Sequence, residues 1–356
     1  FILYRRLSFF IAGIFLSRIS NHKYYFSGAV MDYIEIEKIS VQVKAERAFV
    51  DAVFSEISKN VIGQKKLIER MMSALFCGGH VLVEGLPGLA KTLAVRSFAA
   101  SISSSFSRIQ FTPDLLPADL TGTQIFNPKN MEFFTRKGPL FTNILLADEI
   151  NRAPAKVQSA LLQAMEERMI TIGETTYKLD DPFMVLATEN PIEQEGTYPL
   201  PEAQLDRFMM KVLVEYPSKD EEAEILKKIY DIDPKKINPV MTAEKFFEIR
   251  KIIESIYVDD KILSYIVSLI DFTRRPNDKM KKYIEFGASP RASIALMKLS
   301  KCAAFFAGRG FVTPDDVKEI AYDVLRHRII LSYDAEAEEI KTDTVIKLIL
   351  DQVEVP

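Results

Sequence analysis

The residues that could do chemistry sit at the ends of apolar runs. Val81-Leu82-Val83-Glu84 breaks into Gly85-Leu86-Pro87-Gly88-Leu89-Ala90-Lys91-Thr92, a Gly-rich turn that opens a helical stretch. Backbone N–H groups in such a turn point inward and wrap an anion. The helix that follows offers free N–H groups and its positive dipole end to the same anion. In this pattern Lys91 reaches β- and γ-phosphates, and the Thr92 hydroxyl ligates Mg²⁺. The usual pattern carries Gly just before the Lys, and here that position is Ala90. Alanine suits a helical φ, so the sequence predicts that the change is tolerated.

A second run, Ile144-Leu145-Leu146-Ala147, ends in Asp148-Glu149. In open α/β sheets ligands bind at the carboxyl ends of strands. Asp148 is placed to hold Mg²⁺, and Glu149 to orient and activate an attacking water. A third run, Val185-Leu186-Ala187-Thr188-Glu189, ends at Asn190, whose amide can hydrogen-bond a γ-phosphate or that water. Glu202-Ala203-Gln204-Leu205-Asp206-Arg207-Phe208 places Arg207 at the end of a short helix. It reads either as a surface ion-pair or dipole partner, or as a cation reaching a neighbouring subunit's γ-phosphate. Ser289-Pro290-Arg291 opens a helix with Ser289 as N-cap and Pro290 in the first turn. Arg291 is then a cation where the helix dipole disfavours one, which calls for an anionic partner, a phosphate or a carboxylate.

These residues need strands and helices to hold them. Val81–Glu84, Phe106–Phe111, Asn143–Ala147, Phe183–Ala187 and Met209–Val214 read as buried strands. Helical stretches at 42–59, Lys91–Ser101 and Ala155–Glu167 alternate with them. The alternation implies an α/β fold, a parallel sheet with helices on both faces. At Tyr216 the pattern changes to helices: Asp220–Tyr230, Ala243–Ile256, Asp260–Arg274, Pro290–Gly308, Pro314–His327 and Thr342–Val353, with no strand run of the earlier kind between Asp220 and about Arg328. The expected division is an α/β domain over 31–215 and a small all-α domain over 216–356.

The bulk numbers set limits. The 356 residues suffice for about two domains. A net charge of −3 offers no basic footprint for nucleic acid. Cys77 and Cys302 are far apart in sequence and have no metal-ligand spacing, so a reducing compartment is the simpler inference. His22, His80 and His327 are scattered and read as solvated or packed. Arg5-Arg6 and the apolar stretch Leu7–Leu16 resemble the start of a secretory signal. That stretch is too short to span a membrane. Met31 reads as the true start, with 1–30 upstream of it, and the expected location is cytoplasmic.

Taken in order, these motifs resemble the AAA+ ATPases, and among them the MoxR family. The resemblance runs from Val61-Ile62-Gly63-Gln64 to Arg291. Its most specific blocks are Asp148-Glu149-Ile150-Asn151-Arg152-Ala153-Pro154 and Asn190-Pro191-Ile192-Glu193-Gln194-Glu195-Gly196-Thr197-Tyr198-Pro199-Leu200-Pro201-Glu202-Ala203-Gln204-Leu205-Asp206-Arg207-Phe208. It implies that Lys91 and Thr92 belong to Walker A, and Asp148 and Glu149 to Walker B. It further implies that Asn190 is sensor 1, Arg207 an arginine finger and Arg291 sensor 2, with Val61 and Ile62 against the adenine. The family commonly has Gln where this chain has Glu189, so that carboxylate should point away from the phosphates or pair with a cation.

Two inserts are also implied, a helix-2 hairpin in Asp119–Leu140 and a pre-sensor-1 hairpin in Ile170–Leu179. The resemblance predicts ATP and Mg²⁺ as ligands, ATP hydrolysis, and a homo-oligomer in the form of a hexameric ring. It also predicts a von Willebrand factor A domain partner and a protein client that the ring remodels or helps assemble. No membrane span and no stable nucleic acid partner are expected. The rival readings are a nucleic-acid motor, for which Lys129, Arg136 and Lys137 give a thin cationic lining, and a nucleotide-gated binding module that does not hydrolyse.

Overall fold

A computed structural model describes residues 33–85, 88–190, 196–228, 230 and 237–356. The expected upstream segment 1–30, His22, and Leu86 and Pro87 of the Gly-rich turn lie outside the described residues. The site belongs to the unit Ile36–Pro356.

Helix α1 (Tyr33–Ile57) and helix α2 (Lys65–Cys77) come first. Strand β1 (Val81–Gly85) leads through the Gly-rich turn into α3 (Lys91–Ser101). Then come β2 (Phe106–Gln110), the hairpin of β3 (Gly122–Asn127) and β4 (Glu132–Lys137), and β5 (Ile144–Asp148). Helix α4 (Ala155–Glu167) precedes a second hairpin, β6 (Met169–Ile172) and β7 (Thr175–Lys178). Strands β8 (Met184–Glu189) and β9 (Met210–Val214) complete this part.

The central sheet has the order β2-β5-β8-β1-β9, and every pair is parallel. Parallel strands covered on both faces bury every residue, so they read as unbroken apolar runs rather than alternating ones. Ile144 to Ala147 of β5 and Met184 to Thr188 of β8 are all buried. One core cluster joins Leu145 and Ala147 of β5, Val185 and Ala187 of β8, and Leu161, Leu162 and Met165 of α4.

The rest is mostly helix: α5 (Lys219–Lys228), α6 (Ala243–Ser255), α7 (Asp260–Arg274), α8 (Pro290–Phe306), α9 (Pro314–Leu325) and α10 (Thr342–Gln352). The starts of α6, α7 and α8 are capped by side chains. Thr242, Asp259 and Ser289 accept from the N–H groups of Lys245, Lys261 and Arg291, each such cap being worth about 1 kcal/mol. Helix α2 is tied to this helical half by buried charge. Arg70 Nε donates to Asp323 Oδ2 at 2.8 Å, and Arg70 pairs with Glu319 at 3.0 Å. Two short strands that the sequence does not announce also occur here: β10 (Ile284–Phe286) pairs antiparallel with β11 (Ile330–Leu331). Strands of two and three residues are too short to show a period. Among the described residues no helix is long and apolar enough to cross a membrane.

His80 is packed, one of the two readings the sequence left open. Its Nδ1 accepts from Val185 N at 3.0 Å, and its Nε2 lies 3.1 Å from the Met165 carbonyl. The ring is therefore neutral and pins β1 to β8 and α4. Burial lowers its pKa from 6.5 to about 4. The unfolded chain binds a proton near pH 6.5, while the folded chain holds off until about pH 4. The stability gained by keeping the ring neutral is complete above pH 6.5 and is lost as pH falls toward 4, a change of about 3 kcal/mol. His80→Gln keeps an N–H for Met165 and removes the titration. Urea midpoints measured from pH 7 to 4 should slope less steeply in the variant than in the wild type, and parallel slopes would disprove the assignment.

Candidate functional site

The strand order β5-β8-β1 sets three chain ends side by side at the carboxyl edge of the sheet. There they line one cavity of about 520 Å³, with Gly88 to Thr92 from the turn, Asp148 at the end of β5, Glu149 just after it, and Asn190 after β8. The turn needs left-handed backbone. Gly88 has φ +84°, and a Cβ there would meet nothing within 4 Å, so its conformation and not crowding asks for glycine.

Ala90 has φ 53° and ψ 21°, which corrects the expected helical φ. A residue with a Cβ pays roughly 1 kcal/mol or more in this region, which is why glycine is usual at this place in the turn. Lys91 is half-buried and its Nζ donates to the Gly85 carbonyl at 2.7 Å. Burial pulls its pKa down, and the charges of Asp148 and Glu149 oppose that shift.

Thr188 organises the two acids. Its Oγ1 donates to Asp148 Oδ1 at 2.6 Å and accepts from the Glu149 N–H at 2.9 Å. Arg108 Nη2 donates to Asp148 Oδ2 at 2.7 Å. Glu149 Oε2 accepts from Gln110 Nε2 at 2.7 Å and from Arg152 Nη1 at 3.0 Å. Arg152 thus pairs with an acid of its own chain. Glu149 is itself left-handed, with φ 56° and ψ 52°. A non-glycine residue held there costs on the order of 1–3 kcal/mol and persists where the surroundings over-determine it.

Sequence reasoning missed Arg108, Gln110 and Thr188. A signal existed: residues 108 and 110 share one face of a strand, by its period of two.

Glu189 pairs with a cation, one of the two expected outcomes. Lys211 Nζ lies 4.0 Å from Glu189 and 2.5 Å from Glu84. Burial raises the pKa of Glu189, the Lys211 charge works against that, and Glu84 adds to it.

The two arginines are brought together, but elsewhere. Arg207 and Arg291 line a different cavity of about 260 Å³, with Arg168, Arg328, Glu166 and Asp206. One carboxylate bridges them. Arg207 Nη1 is 3.0 Å from Glu166 Oε2, and Arg291 Nη2 is 2.5 Å from Glu166 Oε1. Within this chain, then, the anionic partner of Arg291 is a carboxylate. Asp206 steadies the group: it accepts from Ser289 Oγ and from Arg328 Nε, both at 2.8 Å. Val61 and Ile62 line a third cavity, with Gly63 and Phe54. Of the expected site residues, the phosphate-loop cavity gathers Gly88, Leu89, Ala90, Lys91, Thr92, Asp148, Glu149 and Asn190.

The donor set can be tested against Mg²⁺. The Thr92 hydroxyl and the Asp148 carboxylate are hard oxygen ligands lining one cavity. Mg²⁺ is commonly held by one or two such groups together with substrate phosphates, so the residues fit.

Residues 80–210 match the ATPase family associated with various cellular activities (AAA), and residues 279–349 match the AAA lid domain. The chain is 46% identical to Chaperone MoxR1 of Mycobacterium tuberculosis over 316 residues, 88% of this chain and 84% of that protein. It is 28% identical to Protein MoxR of Methylorubrum extorquens, across 85% of this chain and 93% of that one. A crystal structure from Cytophaga hutchinsonii superposes with a TM-score of 0.83 at 47% identity, covering 90% of this chain and 98% of the other.

Proposed function

The chain belongs to the MoxR family of AAA+ ATPases, and from that premise we propose that it hydrolyses ATP at a seam between two copies of itself. The observation that carries this reading is the separation of the parts. The phosphate turn, both acids and Asn190 line one cavity, while Arg207 and Arg291 converge on another. A chain so divided offers a nucleotide site on one side and a cationic pair on the other.

The turn N–H groups and Lys91 hold the β- and γ-phosphates, with Leu86 and Pro87 inside the same turn. Thr92 and Asp148 would hold Mg²⁺, which when bound draws off charge from the phosphoryl oxygens. Glu149 takes the proton of the attacking water, positioned by Gln110 and Arg152. Asn190 hydrogen-bonds the γ-phosphate or the water. Arg207 and Arg291 of the neighbouring copy exchange Glu166 for the γ-phosphate and neutralise it. Val61 and Ile62 sit against the adenine in the family's arrangement.

We take 31–215 as the catalytic core and 216–356 as the lid. The assembly is a cytoplasmic hexameric ring that remodels a protein client with a von Willebrand factor A domain partner. Hairpin β3–β4 is the candidate client contact, since it exposes Phe126, Met131, Phe133 and Phe134. The test is phosphate release per chain as protein concentration rises, with sedimentation in parallel. Turnover should climb as assemblies form with ATP and Mg²⁺. Full turnover by a lone chain would overturn the seam.

A further inference from the structure

We propose that Cys77 and Cys302 form a reversible intramolecular disulfide that fastens α8 to the end of α2. The two sulfurs lie 3.3 Å apart, although the residues are separated by 225 positions. Neither is bonded to another cysteine. Each is also held locally: Cys77 Sγ donates to the Lys298 carbonyl at 3.4 Å, and Cys302 Sγ lies 3.8 Å from the Ser73 carbonyl. The pair is asymmetric. Cys77 is half-buried and Cys302 is buried. The hydrogen bond with Cys77 and burial together push the Cys302 thiol well above its ordinary pKa. Cys77 is thus the thiol that meets an oxidant first, and Cys302 the one that resolves it.

With a small-molecule disulfide as oxidant, the electrons and atoms balance in two steps. The Cys77 thiolate attacks one sulfur of the oxidant, forms a mixed disulfide and expels one small thiolate. Cys302 then gives up its proton and attacks the Cys77 sulfur, and the second small thiolate leaves. Two protein thiols are oxidised, one small disulfide is reduced to two thiols, and the two protein protons end on those products.

The consequence follows from position. Cys77 ends α2, and the next residues, Gly78 and Gly79, line the arginine cavity. Cys302 sits on α8 about three turns beyond Arg291. A bond here would hold the helix that presents Arg291 against the segment leading into β1. It would also close a loop that spans the whole phosphate-turn region, constraining the unfolded chain.

The experiment uses the full chain at low concentration with oxidised glutathione, followed by alkylation, intact mass and a non-reducing peptide map. The expected result is loss of both reactive thiols, a mass two hydrogens lighter, and a peptide linking Cys77 to Cys302. The melting midpoint should rise by several degrees and return on reduction. Cys77→Ser should block the change without altering the reduced midpoint by more than a degree or so. Linked dimers, a glutathione adduct on Cys77 that never resolves, or thiols that alkylate as before would each overturn the proposal. None of these readouts depends on ATP turnover.

Discussion

Glu149→Gln is expected to cut ATP turnover by about 10²–10⁴-fold while leaving nucleotide binding near its wild-type level. The substitution is close to isosteric. In the wild type a single oxygen, Oε2, accepts from both Gln110 and Arg152, so the glutamine carbonyl can keep both contacts. The Glu149 N–H would still donate to Thr188, and Asp148 would keep its own bonds to Thr188 and Arg108. What disappears is the carboxylate placed to take a proton from the attacking water. Steady-state phosphate release and binding of a fluorescent ATP analogue separate the two effects. Equal turnover in variant and wild type would remove Glu149 from its role as base. A joint loss of binding and turnover would mean that the side chain shapes the cavity instead.

Arg207→Ala is expected to lose about 10³-fold or more of turnover in assembled material. Binding of ATP to the variant chain should change little, because Arg207 lines the other cavity. The contacts it gives up inside its own chain are a half-exposed ion pair with Glu166 and a hydrogen bond to the Leu162 carbonyl. An exposed pair of this kind is worth no more than about 1 kcal/mol, so folding should survive. The decisive form of the experiment mixes two inactive chains, Arg207→Ala and Glu149→Gln. In a mixed ring some seams join an intact Glu149 on one copy to an intact Arg207 on the next. Turnover should reappear on mixing and peak near equal proportions. If each chain supplied both residues to its own site, every site in the mixture would lack one of them and activity would stay absent.

These two variants probe a division that was only half legible in the chain. The phosphate turn and the acid pair announce themselves because each is a local event: an apolar strand ends, and a short polar segment follows. Burial on both faces makes β1, β5 and β8 continuous apolar runs. Helices Lys91–Ser101, Ala155–Glu167 and Asp260–Arg274 likewise carry apolar periods long enough to read end to end. Composition and spacing alone therefore settled the α/β core, the helical segment after it, and which residues stand at strand ends.

Tertiary structure decided what those residues touch. Only the sheet order places Thr188 between Asp148 and Glu149, and sets Gln110 beside that pair. Only the path of the turn shows Ala90 to be left-handed, since backbone conformation is set by the closure of the loop and not by the residue's own preference. The joining of Arg207 to Arg291 through Glu166, and the meeting of Cys77 with Cys302, come from the packing of helices far apart in sequence. Side-chain period reveals which face of a helix is buried, but it carries no label for the partner that buries it. That choice is made by the summed packing of the whole molecule.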